Sequence, residues 1–300
     1  MSETLCSSVS RALNESLIGT ASRVRNWLLV EQPGPWGHDA VSESRLDPLV
    51  AAGLKRNTGR HRIRLLLIRR AQEEGAGAPY RCFAVHSGMS EQWVQRFDVD
   101  DPSTLLDFDL AGMREGARPD AGRPWPRPLY LVCTNGEHDR CCGRYGPEVA
   151  RSLAEHRPDD TWESSHLGGD RFAANLVCLP HGLYFGRIDP DDAVEVAALY
   201  EQGLIHLDHF RGRSCYEPVV QAGDAFLRLS RRLPGLDDLV PEWRRDREDG
   251  VSRLAFRDAT GRRHDVEVVV RRGSKRPITC NATVPGAPRV YVVGHAPGLE

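Results

Sequence analysis

Three hundred residues are enough for two domains, or for one large domain with a small appendage. A hydrophobic fraction of 40% with 27% charged residues is ordinary globular usage and excludes a chain that is disordered over most of its length. Lys plus Arg number 40 against 42 Asp plus Glu, and a formal charge of -2 excludes a global pull toward nucleic acid or an anionic membrane.

Residues 8–25 place Val9, Leu13 and Leu17 four apart, which predicts a short amphipathic helix before the strand WLLVE at 27–31. The QPGPWG turn follows, and SRLDPLVAAGLKR reads as a helix capped by Asp47, with Pro48 in its first turn. RIRLLLIRR at 62–70 and YRCFAVHS at 80–87 have the composition of strands, with AQEEGAGAP as the turn between them. The stretch 112–128 carries four prolines and three glycines without periodicity and reads as a linker closing an N-terminal α/β half at 1–111.

The same order then recurs over 129–233: strand LYLVCTN at 129–135, a polar loop, helix YGPEVARSLAEH at 145–156, and strands around TWESSH, NLVCLP and LYFGRI. Helices are expected over DDAVEVAALYEQGL and near 217–232. From about 234 the texture changes to a hairpin, LAFRDATGRRHDVEVVVRR with an Ala-Thr-Gly turn, and a last strand RVYVVGHA, so 234–300 reads as a small β-rich appendage. The fold class expected is α/β, with two related halves.

Eight cysteines occur in a chain whose first residues lack the basic start and apolar run of a signal peptide, so a cytoplasmic location is expected. No apolar stretch approaches the roughly 18 residues that cross a bilayer. In a reducing compartment clustered cysteines bind metal or react, while scattered ones pack as small hydrophobes. The cluster is CTNGEHDRCCGRYG: seven residues separate Cys133 from the pair Cys141 and Cys142, 23 separate Cys142 from His166, and Asp170 lies four positions further on. Soft thiolates with an imidazole suit an iron–sulfur or zinc centre.

Cys133 ends an apolar strand and Cys142 precedes a helix whose N–H groups favour thiolate. Of the adjacent pair, one is expected to ligate while Cys141 packs or stands as the alternative ligand. Gly168 and Gly169 after His166 allow the backbone to approach a bound group closely. Asp170 has three open roles: ligand, partner of His166, or cap of the next turn. Arg171, Arg187, Arg211 and Arg213 bring positive charge to the region or are solvated surface groups, the latter for at least half of them.

CTNGEHDRCCGRYG, SHLGGDRFAANLVCLPHGLYFGRIDP and LDHFRGRSCYEPVVQAGDAFLR together resemble the sucrase/ferredoxin-like family, and WLLVEQPGPWG with SRLDP is similar to the front half of its actinobacterial members. The resemblance implies a thioredoxin-like fold with a 2Fe-2S cluster held by two cysteines and the histidines of an H-x-x-x-H motif. By position the ligands fall on Cys133, Cys142 and His166, with Asp170 where the second histidine would stand.

The function expected is a 2Fe-2S ferredoxin-like electron-transfer or redox-sensing protein, served by a separate reductase or acceptor as redox partner, rather than a stand-alone enzyme. The alternatives are a zinc-binding structural protein and a cluster-free thiol redox protein. Glycoside hydrolysis has little support, because Asp189, Asp191 and Asp192 sit together like a helix start rather than across a cleft.

Overall fold

The computed structural model describes residues 4–70 and 78–296. Most of the predicted turn at 71–79 therefore lies outside the described residues. The elements in chain order are α1 (Cys6–Ala12), β1 (Asn26–Glu31), α2 (Pro48–Arg60), β2 (Ile63–Arg69), β3 (Tyr80–Ser87), β4 (Gln92–Val99), α3 (Leu110–Arg114) and β5 (Arg123–Pro124). They are followed by β6 (Leu129–Cys133), α4 (Arg140–His156), β7 (Thr161–Ser164), β8 (Asn175–Leu179), β9 (Leu183–Gly186), α5 (Pro190–Glu201), β10 (Phe210–Arg213) and α6 (Pro218–Arg231). The chain ends in β11 (Leu239–Asp246), β12 (Val251–Asp258), β13 (Arg263–Arg272) and β14 (Arg289–His295).

The first ten strands form one sheet in the order β10-β9-β8-β6-β7-β2-β1-β3-β4-β5. In each half a helix crosses between two parallel strands, α2 between β1 and β2 and α4 between β6 and β7, and an antiparallel pair follows, β3–β4 or β8–β9. The halves meet where β2 runs antiparallel to β7, through Ile68 with Ser164 and Arg69 with Glu163. The molecule is thus α/β with two halves of like order.

Both sheet faces are covered, so the central strands are apolar throughout rather than alternating. On one face Trp27, Leu29, Leu129, Leu131 and Cys133 join Phe83, Trp162 and Tyr184 in a core common to both halves. On the other, Leu28 and Val30 pack under α2, and Tyr130 and Val132 pack under α4 and α5. The period-2 alternation of side chains sends neighbours to opposite layers. β11 to β14 form a separate antiparallel sheet whose Leu254, Phe256, Val266 and Val268 cover Val219 and Ala222 of α6.

Three local expectations are corrected. The helix predicted over 8–25 is confined to Cys6–Ala12, because residues beyond it bond to distant backbone: Thr20 N–H donates to Arg211 O (3.2 Å) and Val24 N–H to Ser214 O (2.9 Å). α4 begins at Arg140, not 145, because the Asp139 carboxylate caps it by accepting from Cys141 N–H (2.8 Å). The Pro/Gly-rich 112–128 stretch lies along the sheet edge: β5 pairs with β4, and Gln95 Nε2 donates to Ala121 O (2.7 Å). Asp189 and Asp192 do form a capping box at the start of α5. No helix among the described residues is long and apolar enough to cross a membrane.

Candidate metal centre

Two loops at the end of the β6–β7 pair build the site. The first leaves β6 at Cys133 and turns at Asn135, whose carbonyl accepts from Asp139 N–H (3.2 Å), before α4 begins. A Cβ on Gly146 would stand 2.1 Å from Cys133 O, so only glycine lets α4 lie against the end of β6. That approach brings Cys142, in the first turn of α4, beside Cys133.

The second loop, 166–170, is held carbonyl by carbonyl. Arg64 Nη2 donates to His166 O (2.6 Å), Ser22 Oγ to Leu167 O (3.0 Å), Arg211 Nη1 to Gly168 O (3.0 Å) and Asn175 Nδ2 to Gly169 O (3.1 Å). Gly168 (φ +102°) and Gly169 (φ +87°) take left-handed conformations, and a Cβ on Gly169 would meet Arg211 Nη2 at 2.2 Å. Four successive carbonyls fixed by side chains make a rigid cradle, as a ligand loop requires.

The predicted residues Cys133, Cys142, His166 and Asp170 come together there. Asp170 Oδ1 lies 3.5 Å from Cys142 Sγ and 3.0 Å from His166 Nδ1, and Cys133 interacts electrostatically with both Cys142 and His166. Cys133, Cys142 and Asp170 are at most 2% exposed. Although Asp170 is near, His166 Nδ1 has no partner of hydrogen-bond geometry, and a buried polar atom in that condition is costly.

The electrostatics follow from these contacts. The hydrogen bond from Cys142 outweighs burial and, with those from His166 and Leu167 N–H, draws the Cys133 thiol down to about 5. The same bond, and then burial, push the Cys142 thiol well above the ordinary thiol range. Burial works against charge on His166, yet Asp170 and Cys133 raise its imidazole to about 9. Asp170 is held below the usual carboxylate range, because His166 more than offsets its burial. The charged forms of His166 and Asp170 therefore favour each other, and the Cys133 and Cys142 thiols are driven in opposite directions.

His138 is a donor that sequence reasoning missed. Its ring stacks on His166 with centroids 3.8 Å apart, and its ligand atom lies within 4.8 Å of those of His166 and Asp170. The signal was present as a histidine inside the cysteine loop, four residues before Cys142. His38, from the QPGPWGH turn, backs it: His138 Nδ1 is 3.0 Å from His38 O.

Cys141 points away from this ring toward Cys6 and Cys280, so the structure does not bring it to His166. Cys6 and Cys280 are consequently not the isolated packed cysteines expected, whereas Cys82, Cys178 and Cys215 are buried. The solvated reading of the arginines is also corrected. Arg211 and Arg213 are buried, Arg171 pairs with Glu15 at 2.9 Å, and Arg187 Nη2 donates to Glu15 O at 2.6 Å.

The donor set passes a chemical test for a metal group: two buried thiols, an imidazole with an unsatisfied nitrogen and a carboxylate converge on a rigid loop. The sequence profile described as sucrase/ferredoxin-like matches residues 17–212. Two similar curated relatives are each named "Altered inheritance of mitochondria protein 32". The one from Meyerozyma guilliermondii is 30% identical over 95 residues, 28% of this chain and 34% of the relative. The one from Candida glabrata is 30% identical over 97 residues, 27% of this chain and 31% of the relative.

The chain thus spans about a third of the length of the curated relatives it matches. No solved structure matches it. These findings correct the expected function. The relatives are named for inheritance of mitochondria, and neither their name nor the family match supports a 2Fe-2S ferredoxin-like electron carrier or redox sensor, or the structural-zinc and thiol-redox alternatives.

Proposed function

The chain belongs to the sucrase/ferredoxin-like family, and from that membership we propose that it binds a metal cofactor through Cys133, Cys142, His166 and Asp170. The cofactor class is a 2Fe-2S cluster, with zinc as the alternative the same donors accept. One observation carries the reading: a single Asp170 oxygen lies 3.5 Å from Cys142 Sγ and 3.0 Å from His166 Nδ1, with Cys133 beside them. When bound, the group would supply positive charge that neutralises thiolates and a carboxylate.

The chain's own residues do the remaining work. Arg64, Ser22, Arg211 and Asn175 orient the 166–170 loop, and Leu167 N–H donates to the Cys133 sulfur, favouring thiolate. Asp170 Oδ1 faces both Cys142 and His166, which suits a donor, and His138 is the next imidazole in reach.

The test is anaerobic purification followed by counts of iron, acid-labile sulfide and zinc in the wild-type chain and in C133S, C142S and H166A. Loss of the iron and acid-labile sulfide, or of one zinc equivalent, in all three variants, each with wild-type circular dichroism, is the expected result. Equal metal content in wild type and C133S, or none after reconstitution, would overturn the proposal.

A further inference from the structure

The second cysteine group lies on the other side of the α4 N-terminus. Cys6 of α1, Cys141 of α4 and Cys280 of the β13–β14 connection bring their sulfurs to 3.5 Å (Cys6–Cys141), 3.3 Å (Cys141–Cys280) and 3.6 Å (Cys280–Cys6). Asp139 completes the group: its Oδ1 accepts from Cys141 N–H (2.8 Å) and lies 4.0 Å from Cys6 Sγ, while its Oδ2 accepts from Cys280 N–H (2.6 Å). All four ligand atoms lie within 4.8 Å of one another. Cys6, Cys141 and Asp139 are fully buried, and Cys280 is half-buried.

We propose that Cys6, Cys141, Cys280 and Asp139 form a second metal site, for a single thiophilic divalent cation of the zinc class. The sulfurs form a nearly equilateral triangle. A tetrahedral cation with bonds of about 2.3 Å to sulfur sets S–S edges of roughly 3.8 Å, a few tenths of an ångström from those observed. It would sit about 1 Å out of the sulfur plane, leaving its fourth position for a carboxylate oxygen. A disulfide, at about 2.05 Å, would draw two sulfurs together and leave the third without a partner. The three near-equal separations favour one central ion.

Asp139 has a second part in this site. Bonds from the Cys141 and Cys280 N–H groups fix the carboxylate and, through it, the two backbones that carry the ligands. The ligands come from three remote stretches of chain, Cys6 and Cys141 being 135 residues apart and Cys141 and Cys280 139 apart. A bound cation would therefore cross-link the N-terminal helix, α4 and the small C-terminal sheet. The residue after Cys280, Asn281, donates through Nδ2 to His138 O (2.8 Å), so the pinned loop also abuts the first centre. The two sites share no ligand, and this proposal does not rest on the first.

The test uses the full chain, reduced, stripped with chelator and titrated with Co²⁺ and then Zn²⁺. C133S/C142S is expected to keep one equivalent of cobalt with thiolate-to-cobalt charge-transfer absorption. C6S and C280S should each bind it at least 100-fold more weakly in that background, and D139N roughly 10–100-fold more weakly. Zinc should also protect Cys6, Cys141 and Cys280 from alkylation in the wild-type chain, a peptide-level readout that needs no variant to fold. Absence of that protection, or a disulfide within the trio in freshly isolated protein, would overturn the assignment.

Discussion

Arg211 is the side chain on which the ligand loop most depends, and its replacement by Met is the most informative perturbation. It is 1% exposed and makes four hydrogen bonds: Nε to Thr20 Oγ1 (3.1 Å), Nη1 to Gly168 O (3.0 Å) and Asn175 Oδ1 (2.8 Å), and Nη2 to Thr20 O (2.6 Å). Burial lowers its pKa from the ordinary guanidinium range to about 10, which at about 1.36 kcal/mol per pH unit is roughly 3 kcal/mol of cost for holding the charge inside. Against this stand four charge-assisted bonds at about 1.5–3 kcal/mol each.

The bonds win, and after some relaxation around the freed carbonyls Arg211→Met should cost about 4 kcal/mol, in the range for breaking a buried charged network. Arg211→Lys keeps the charge but not the fork and should recover about half. Urea unfolding of wild type and both variants measures this, with metal content as a second readout. A loss below about 1 kcal/mol for Met, or a Lys variant equal to wild type, would show that the loop holds its shape without the guanidinium.

Gly146→Ala should push α4 off the end of β6, since the new Cβ meets Cys133 O at 2.1 Å; a loss of about 2–3 kcal/mol in urea and reduced metal content are expected. In metal-free protein, Cys133 (about 5 folded, against 9.0) contributes stability that is lost as pH falls through about 5, and His166 (about 9 folded, against 6.5) contributes stability that is lost as pH rises through about 9. Each contribution changes between the folded and unfolded values, so urea midpoints should drop as pH falls from about 6.5 to 5 and hold nearly level from 6.5 to 9, where the two slopes oppose, and C133S should flatten the acid drop. Arg228→Leu strands the fully buried Asp224, 3.0 Å from Arg228 Nε, and also frees Leu233 O and Gly235 O; a cost of about 3–5 kcal/mol by chemical denaturation is expected. C142S should lose the iron and acid-labile sulfide held with His166 while C141S keeps both, as counted by iron and sulfide analysis.

Much of the order of strands and helices was legible because those elements carry their own signal, the apolar runs of β1, β2 and β6 and the Asp47 and Asp189 caps of α2 and α5, whereas the strands β4, β10 and β11 were not read. The misread pieces were those settled by distant partners. Residues 13–25 have helical spacing but bond to β10 and the turn after it, and 112–128 has no period because its order comes from pairing along β4. At the site, the four residues that the family resemblance implied lie together. The rest depends on elements that pack from elsewhere, such as His38 behind His138, and Cys6 and Cys280 beside Cys141. Linear spacing could not show that Arg211 would be buried, since its acceptors, apart from the Thr20 hydroxyl and the Asn175 amide, are backbone carbonyls at Gly168 and Thr20.

The doublet Cys141-Cys142 shows what spacing alone left open. Successive residues of an α-helix project about 100° apart, so two adjacent cysteines in one turn face different neighbours and are poorly placed to serve a single small centre. Here that divergence is used on both sides. Cys142 turns to Cys133 and Asp170, Cys141 turns to Cys6 and Cys280, and Asp139 caps the helix between them while facing only the second group. The α4 N-terminus, with its outward N–H groups and positive dipole end, lies against both sets of sulfur and lowers the cost of thiolate in each. A cysteine doublet at a helix start is thus better read as one residue for each of two environments than as a ligand with a spare, and the partner of the second must be sought among cysteines that look isolated in the chain.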